Sequence, residues 1–309
     1  MTNPLKSFPS TAVIDAREGM AVASRSKVPA FVRRYFRSKT STAALIVFVL
    51  VLVFAFVGPY LWHYRFDVYT PDNSVPPSWE HPFGTDSTGY DGLAQVMRGT
   101  QRSAQIALFV ALSATLVGSF VGALAGYYGR FVDGLLMRLI DLILVFPSIA
   151  VAAVLSYMTM GTDTSWFTIG LVLAFLAWPV VARIVRANVL SITQSDYVAA
   201  AKGAGASDFS IIVRHLVPNA MGTILVAVTV LTATAILSET ALSYLGFGVQ
   251  SPDTSLGLLI AQAQSAVTTR PWLFYFPGLF IILIAITVSF IGDGLRRALD
   301  PRQSGGTQQ

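Results

Sequence analysis

Six apolar stretches, each near 20 residues long, constrain this chain more than any other feature of its sequence. About 20 apolar residues form a helix long enough to cross the hydrocarbon core of a bilayer. Charged residues make up 12% of the chain, about half the share found in soluble domains. The sequence therefore predicts an all-α membrane protein with six transmembrane helices. They are expected at about residues 43–62, 103–127, 135–158, 167–185, 220–245 and 273–291.

The positions of the basic residues predict the orientation of these helices. If both termini lie in the cytoplasm, all but four of the 21 lysines and arginines fall on the inner side. Cytoplasmic segments of membrane proteins carry such an excess. We therefore expect cytoplasmic N- and C-termini, and the net charge of +5 needs no nucleic-acid partner. The four outer basic residues are then Arg65, Arg98, Arg102 and Arg270.

The order of polar and apolar segments predicts the domain organisation. Polar segments flank the membrane domain at both ends of the sequence. Of these segments, residues 1–24 and 303–309 should be disordered. The expected parts are a cytoplasmic tail (1–40), a first helix with an extracytoplasmic loop (41–102), a main transmembrane domain (103–302) with a long cytoplasmic loop at 186–219, and a terminal tail (303–309).

Three local patterns refine this picture. Gly118, Gly122 and Gly126 recur every fourth residue, which lets helix backbones approach closely and places the second helix inside the bundle. Pro147 should kink the third helix. Residues 90–102 should form an amphipathic helix that lies on the outer membrane surface.

The cytoplasmic loop contains the pattern most suggestive of a function. Its alanine run favours a helix, glycines then break that helix, and an apolar face follows on a second helix that a proline ends. A short helix of this kind can dock in a groove of a cytoplasmic partner, although it can equally be a connector that covers the floor of the bundle. The candidate docking residues are Ala199, Ala200, Ala201, Gly203, Gly205, Ile211, Ile212, Leu216 and Pro218.

Ionisable residues suggest two further sites. Charges within membrane spans are costly unless they have a function or a partner, so Glu239 and Asp141 are candidates for a transport pathway. For Asp141, an ion pair with Arg138 three residues earlier is the alternative, and for Glu239 the alternative is pairing with a neighbouring residue. On the outer side, Tyr90, Asp91 and Arg98 are candidates for contact with an external protein, or else belong to a solvated loop.

Other chemistry is not expected from this sequence. It has no cysteine and three histidines, which are scattered, so we expect no metal site. It lacks a Gly-x-x-x-x-Gly-Lys-Ser/Thr phosphate loop. We therefore expect a non-catalytic chain with no cofactor of its own, and any ATP hydrolysis must occur on another subunit.

Four motifs resemble those of permeases from binding-protein-dependent ABC importers. Ala200, Ala201, Gly205 and Pro218 match the EAA loop of these proteins, with Ala199 in place of its usual Glu. Residues 81–91 resemble HPFGTD-x-x-GRD, with Tyr90 in place of Arg. Residues 242–248 resemble LSFLGLG, and residues 292–302 resemble GDGLRDALDPR. Together the motifs are similar to the "C" permease of dipeptide and oligopeptide importers, whose nickel and glutathione relatives share them.

The resemblance implies a fold, a location and partners. It implies a type I ABC importer transmembrane domain in the bacterial inner membrane, crossing it several times and forming half of a peptide pathway. The partners would be a second homologous permease, two ATPases or one fused ATPase that bind ATP and Mg²⁺, and an extracytoplasmic substrate-binding protein. With no acid at Ala199, docking should rest on apolar contact, so Ile212→Asp is expected to uncouple ATPase from transport. The alternative classes are an ion-coupled secondary transporter and a membrane scaffold that does not transport.

Overall fold

The computed structural model describes residues 30–159 and 166–299. These residues form helices and loops, with two isolated β-bridges near the start of α4. The tails at 1–24 and 303–309, and residues 300–302 of the last motif, lie outside the described residues. The helices are α1 Ala30–Arg37, α2 Lys39–Phe56, α3 Gly58–Leu61, α4 Gly92–Tyr128, α5 Arg130–Val145, α6 Ser148–Thr159, α7 Trp166–Thr193, α8 Asp196–Gly203, α9 Asp208–Ile211, α10 Val217–Tyr244, α11 Leu256–Ala263 and α12 Trp272–Leu299.

Five helical spans in the described residues are long and apolar enough to cross a membrane. They are α2, α4, α7, the continuous stretch Asp208–Tyr244, and α12. Helices α5 and α6 pass the same test together, and counting this bent pair as one span gives six. The all-helical membrane fold expected from the sequence is thereby confirmed.

The third expected helix is broken rather than kinked. Helices α5 and α6 meet at an angle of 81°, and Phe146 between them has an extended backbone (φ −82°, ψ 139°). Pro147 explains the break, because a proline disfavours helical geometry in the residue before it and cannot donate a backbone hydrogen bond. The bend therefore separates two half-spans that can face different neighbours.

Helix α4 is one continuous rod of 37 residues. At 1.5 Å per residue it measures about 55 Å, well beyond the ~30 Å hydrocarbon core. The expectation of a separate surface helix at 90–102 is therefore wrong. Leu93, Val96 and Met97 are buried, because the apolar periodicity of the span continues outward to the helix start at Gly92.

The glycines of α4 lie against α7, which confirms that the second span is packed inside the bundle. A Cβ atom at Gly118 would lie 2.6 Å from the Cβ of Val181, and one at Gly126 would lie 2.9 Å from the Cβ of Val189. At Gly122 it would lie 2.5 Å from the carbonyl oxygen of Ala182. The two backbones can approach this closely only without side chains at these positions.

We expect Gly122→Ala to lower the free energy of unfolding by about 1–3 kcal/mol, because the added methyl group forces α4 and α7 apart. Thermal unfolding of the purified chain in detergent measures the effect. Gly134→Ala in α5 is the matched control, since a Cβ atom there meets nothing within 4 Å and a helical Gly→Ala change gains up to about 1 kcal/mol. Equal behaviour of the two variants would contradict this packing account.

The polar connection between the fourth and fifth spans is shorter than the expected loop at 186–219. Helix α7 runs to Thr193, and the helix that starts at Asp208 continues to Tyr244. Pro218 was expected to end a helix, but it lies in the first turn of α10. A π turn at Ile212–Leu216 precedes it, and this wider turn carries the helix past the proline. We call residues 194–207 the coupling segment.

Candidate functional site

The coupling segment is a short helix closed by a glycine turn. At the end of α8, the amide of Ala206 donates to the carbonyl of Ala201 at 3.1 Å, and the amide of Gly205 donates to that of Lys202 at 3.0 Å. This pair of bonds is a Schellman motif, in which the residue at the position of Gly205 must be left-handed. Gly205 has φ +81°, so the glycine matched by the EAA pattern fixes where the helix turns back.

We expect Gly205→Ala to reduce transport, because an alanine in this left-handed conformation costs about 1–2 kcal/mol and loosens the turn. Gly203→Ala is the control: Gly203 belongs to α8, and a Cβ atom there has open space. Uptake per unit of inserted protein in cells measures both variants. Loss of uptake in Gly203→Ala alone would contradict the assignment of the turn to Gly205.

The apolar face of the second loop helix points into the protein. Ile211, Ile212 and Leu216 are buried, with Ile212 only 5% exposed. They belong to the same core cluster as Val185 and Val189 of α7. The expectation that these three residues form the docking surface is therefore wrong, because the chain's own bundle covers the apolar face.

A different set of residues is available to a partner. Ala199, Ala200, Gly203 and Gly205 are exposed, whereas Ala201 is half-buried. Phe209 is 72% exposed and Tyr197 is 45% exposed, and neither was a candidate from the sequence. Their exposure depends on which face the bundle covers, which periodicity alone does not reveal. These exposed residues form the candidate coupling surface: Tyr197, Ala199, Ala200, Gly203, Gly205 and Phe209.

Tyr127, near the C-terminal end of α4, contacts both arms of this loop. Its hydroxyl donates to Asp208 at 2.5 Å, and the ammonium of Lys202 lies 4.5 Å from the centre of its ring. A hydrogen bond to a carboxylate and a cation–π contact are both charge-assisted interactions. Tyr127 therefore links α8 and α9 directly to α4.

Two ion pairs fasten the half-span α5 to α7. Arg183 pairs with Asp141, and Arg186 pairs with Asp133. The expected partner of Asp141 was Arg138, so that expectation is wrong: the neighbouring helix approaches closely enough to supply the cation instead. Asp141 remains substantially exposed in this chain.

Glu239 connects three segments in the interior. It is fully buried, and its two carboxylate oxygens accept hydrogen bonds from Ser103 at 2.9 Å and Ser243 at 2.7 Å. Ser103 also accepts a bond from the amide of Leu256 at 3.1 Å. Because both oxygens are satisfied inside the chain, Glu239 holds α4, α10 and α11 together. Of the two roles that the sequence leaves open for Glu239, the structure shows pairing with neighbouring residues.

Residues 62–91 lie at the opposite end of α4 from the coupling segment, and we call them the outer loop after the orientation expected from the sequence. Asp91 is its central residue: it caps α4 by accepting from the amide of Ala94 at 2.8 Å. It also accepts from Trp62 Nε1 at 3.0 Å and from His81 Nδ1 at 2.8 Å. Asp91 is completely buried, so the expected direct contact with an external protein is wrong, and its carboxylate instead fixes the outer loop.

The other two outer candidates, Arg98 and Tyr90, differ in their contacts. Arg98 donates to Asp253 at 2.8 Å and lies 4.7 Å from the centre of the Phe66 ring, so it holds two outer segments together. Tyr90 is half-exposed and lines an outer cavity of about 410 Å³. Both side chains are half-buried, so Tyr90 and Arg98 remain partly accessible, whereas Asp91 does not.

The pKa of one tyrosine in the outer loop, Tyr64, is shifted. The hydroxyl of Tyr64 donates to Glu80 at 2.9 Å. This hydrogen bond to a carboxylate, supported by partial desolvation, raises the pKa of Tyr64 above its ordinary value. Tyr64 therefore stays neutral throughout the physiological pH range.

A bundle of long apolar helices around a broken span is typical of a polytopic membrane protein. Residues 118–305 match the family described as "binding-protein-dependent transport system inner membrane component", and residues 30–77 match the "N-terminal TM domain of oligopeptide transport permease C". The chain belongs to this family. It is a multi-pass inner-membrane permease of the ABC importer class, whose members work with an ATPase and a substrate-binding protein.

Individual relatives agree with this assignment. The chain is 39% identical to the oligopeptide transport system permease protein OppC of Mycobacterium tuberculosis, over 87% of this chain and 93% of the relative. It is 35% identical to OppC of Bacillus subtilis, over 87% and 88%. It is 34% identical to the dipeptide transport system permease protein DppC of Alkalihalophilus pseudofirmus, over 86% and 87%.

A solved structure shares the fold. A chain of the MetNI methionine ABC transporter, in an inward-facing conformation, aligns with a TM-score of 0.55. The alignment covers 67% of this chain and 96% of that one, at 18% identity. The expected type I ABC importer fold is thereby confirmed.

Proposed function

We propose that this chain forms half of the membrane pathway of an ATP-driven importer for dipeptides or oligopeptides. The observation that carries the proposal is the 39% identity to an oligopeptide permease along nearly the whole length of both chains. Relatives named for oligopeptide and dipeptide transport match to similar extents. The chain itself is non-catalytic and binds no cofactor in this scheme.

The proposed complex contains a second homologous permease, two ATPase subunits or one fused ATPase, and an extracytoplasmic binding protein. ATP and Mg²⁺ bind to the ATPases. Both termini of this chain lie in the cytoplasm, in accordance with its basic residues. The second permease covers the apolar side chains that α5 and the following break leave exposed, which include Phe131, Leu135, Leu142, Val145 and Phe146.

The coupling surface docks on the ATPase in this proposal. Ala199 supplies no charge, so the contact rests on the shape of the α8 turn and on the exposed ring of Phe209. Closure of the ATPases on ATP moves α8, and Tyr127 passes this movement to α4 through its bonds with both arms of the loop. Since α4 packs tightly on α7, the two helices move together and open the bundle outward.

We place the pathway beside the break between α5 and α6. A cavity of about 310 Å³ lies there against α7 and α10, with an apolar wall and three hydroxyl groups. A wall of this kind binds no particular side chain strongly, which suits passage of varied peptides. Asp141 stays a pathway candidate because its side chain is exposed. The hydroxyl-bearing residues are Ser148, Thr234 and Ser238.

The ATPase activity of the complete complex in lipid nanodiscs tests the proposal. The binding protein is loaded in turn with peptides of several lengths, nickel and glutathione. We expect stimulation by peptides and none by the other two ligands. Stimulation by nickel or glutathione alone would replace the peptide assignment, and uptake that survives ATP depletion but collapses with an ionophore would overturn the ABC mechanism.

A further inference from the structure

His81 in the outer loop is a buried histidine with one unused nitrogen. The side chain is 2% exposed. Its Nδ1 atom donates to the carboxylate of Asp91 at 2.8 Å, which leaves the lone pair on Nε2. That atom is buried and has no hydrogen-bond partner. An unsatisfied buried nitrogen is costly and requires an explanation.

Two exposed carboxylates stand in front of this nitrogen. The ligand atoms of Asp72, Glu80 and His81 all lie within 4.8 Å of one another. Nε2 of His81 is 3.6 Å from Asp72 Oδ2, too far for a hydrogen bond. The nitrogen and the two carboxylates therefore lie close together, but no hydrogen bond joins Nε2 to either carboxylate.

The distances between His81 Nε2 and the two carboxylates are close to those between ligands of one metal ion. Zinc lies about 2.0–2.1 Å from imidazole nitrogen and about 2.0–2.2 Å from carboxylate oxygen. In tetrahedral geometry, two such ligands are about 3.3 Å apart. Small rotations of the exposed Asp72 and Glu80 side chains bring the observed distances to this value, while the buried histidine stays fixed.

The surroundings of His81 also match those of metal-binding histidines. Such a histidine donates its other ring N–H to a carboxylate, which fixes its tautomer and orientation. Asp91 does this here, and it is itself held by Trp62 Nε1 and the amide of Ala94. Tyr64 stacks on the His81 ring at 4.7 Å between centroids and donates to Glu80, so it orients two of the three ligands.

We propose that His81 Nε2, Asp72 and Glu80 bind a divalent transition-metal ion of the Zn²⁺ type on the outer face of the permease. One imidazole and two carboxylates provide three ligands, and water completes the coordination. The ion joins Asp72 to residues 80 and 81 and so ties the two ends of this part of the outer loop together. The site does not depend on the identity of the transported substrate.

The test is Zn²⁺ binding to the purified full-length chain after chelator treatment, measured by titration calorimetry. We expect one ion per chain. Asp72→Asn and Glu80→Gln should each weaken binding by at least about tenfold, and both are exposed changes that spare the buried His81–Asp91 pair. Asp67→Asn is the matched control, because this acid lies in the same loop and pairs with Arg65 at 2.7 Å; its affinity should equal that of the parent chain.

A second measurement identifies the histidine as a ligand. Co²⁺ substituted for Zn²⁺ should give the absorption bands of a four-coordinate nitrogen–oxygen site, and His81→Gln should abolish them. Absence of saturable binding would overturn the proposal. So would binding that is unchanged in Asp72→Asn and Glu80→Gln, which would indicate adventitious surface association only.

Discussion

Replacing Asp91 with alanine is expected to lower the free energy of unfolding of the chain by about 3–5 kcal/mol. The change removes the N-cap of α4, which alone costs about 0.5–2 kcal/mol. It also leaves the part-buried donor Trp62 Nε1 and the buried donor His81 Nδ1 without an acceptor, at about 1–3 kcal/mol each. Thermal unfolding in detergent with chelator present, so that no metal contributes, measures the loss.

Asp91→Asn is the informative control for this prediction. The Asn oxygen still accepts from Trp62 and from the amide of Ala94, and His81 adapts by presenting its other tautomer to the Asn amide. We expect a loss of about 1 kcal/mol. Equal losses in the two variants would show that the negative charge, rather than the count of hydrogen bonds, stabilises the outer loop.

Asp91 also illustrates what the sequence could and could not predict. Its motif was recognisable, and an Asp just before an apolar periodic stretch is a typical N-cap. The bond from Trp62, 29 residues earlier, depends on the path of the outer loop, which has no periodicity to guide prediction. The sequence therefore assigns Asp91 to the outer surface, whereas its side chain is buried.

The membrane spans, unlike the contacts of Asp91, could largely be predicted from the sequence. Their number and order follow from apolar runs alone, because the bilayer sets the length of each crossing. Their ends were less predictable: α4 and the helix from Asp208 to Tyr244 continue for several turns beyond the apolar core. Helix caps and the π turn before Pro218 decide these ends, and they are local geometry that hydropathy does not record.

The residues of the coupling surface could not be predicted from the periodicity of the sequence alone. The spacing of Ile211, Ile212 and Leu216 correctly indicated an apolar face. It did not indicate whether a partner or the chain itself covers that face. The structure places Val185 and Val189 in the same core, so the exposed Phe209 takes the place of the isoleucines as the proposed apolar contact.

The assignment of the apolar contact to Phe209 predicts a second mutation with a large effect. We expect Phe209→Asp to weaken ATPase binding at least tenfold and to abolish stimulated transport, while the chain inserts and unfolds as the parent does. A large aromatic ring that is 72% exposed in the isolated chain is a typical interface hot spot, worth about 2 kcal/mol or more. Co-purification of the ATPase, followed by stimulated ATP hydrolysis, measures the loss.

Ile212→Asp is the matched comparison, because it places the same carboxylate three residues away but inside the core. Burying an unpaired charge costs several kcal/mol, so this variant should lose thermal stability as well as transport, and low levels of folded protein should account for its inactivity. Trp79→Ala, at a fully exposed residue of the outer loop, should leave the ATPase bound. If Phe209→Asp kept full ATPase binding while Ile212→Asp folded normally and lost it, the buried face would be the docking surface after all, and α9 would have to rotate outward when the complex forms.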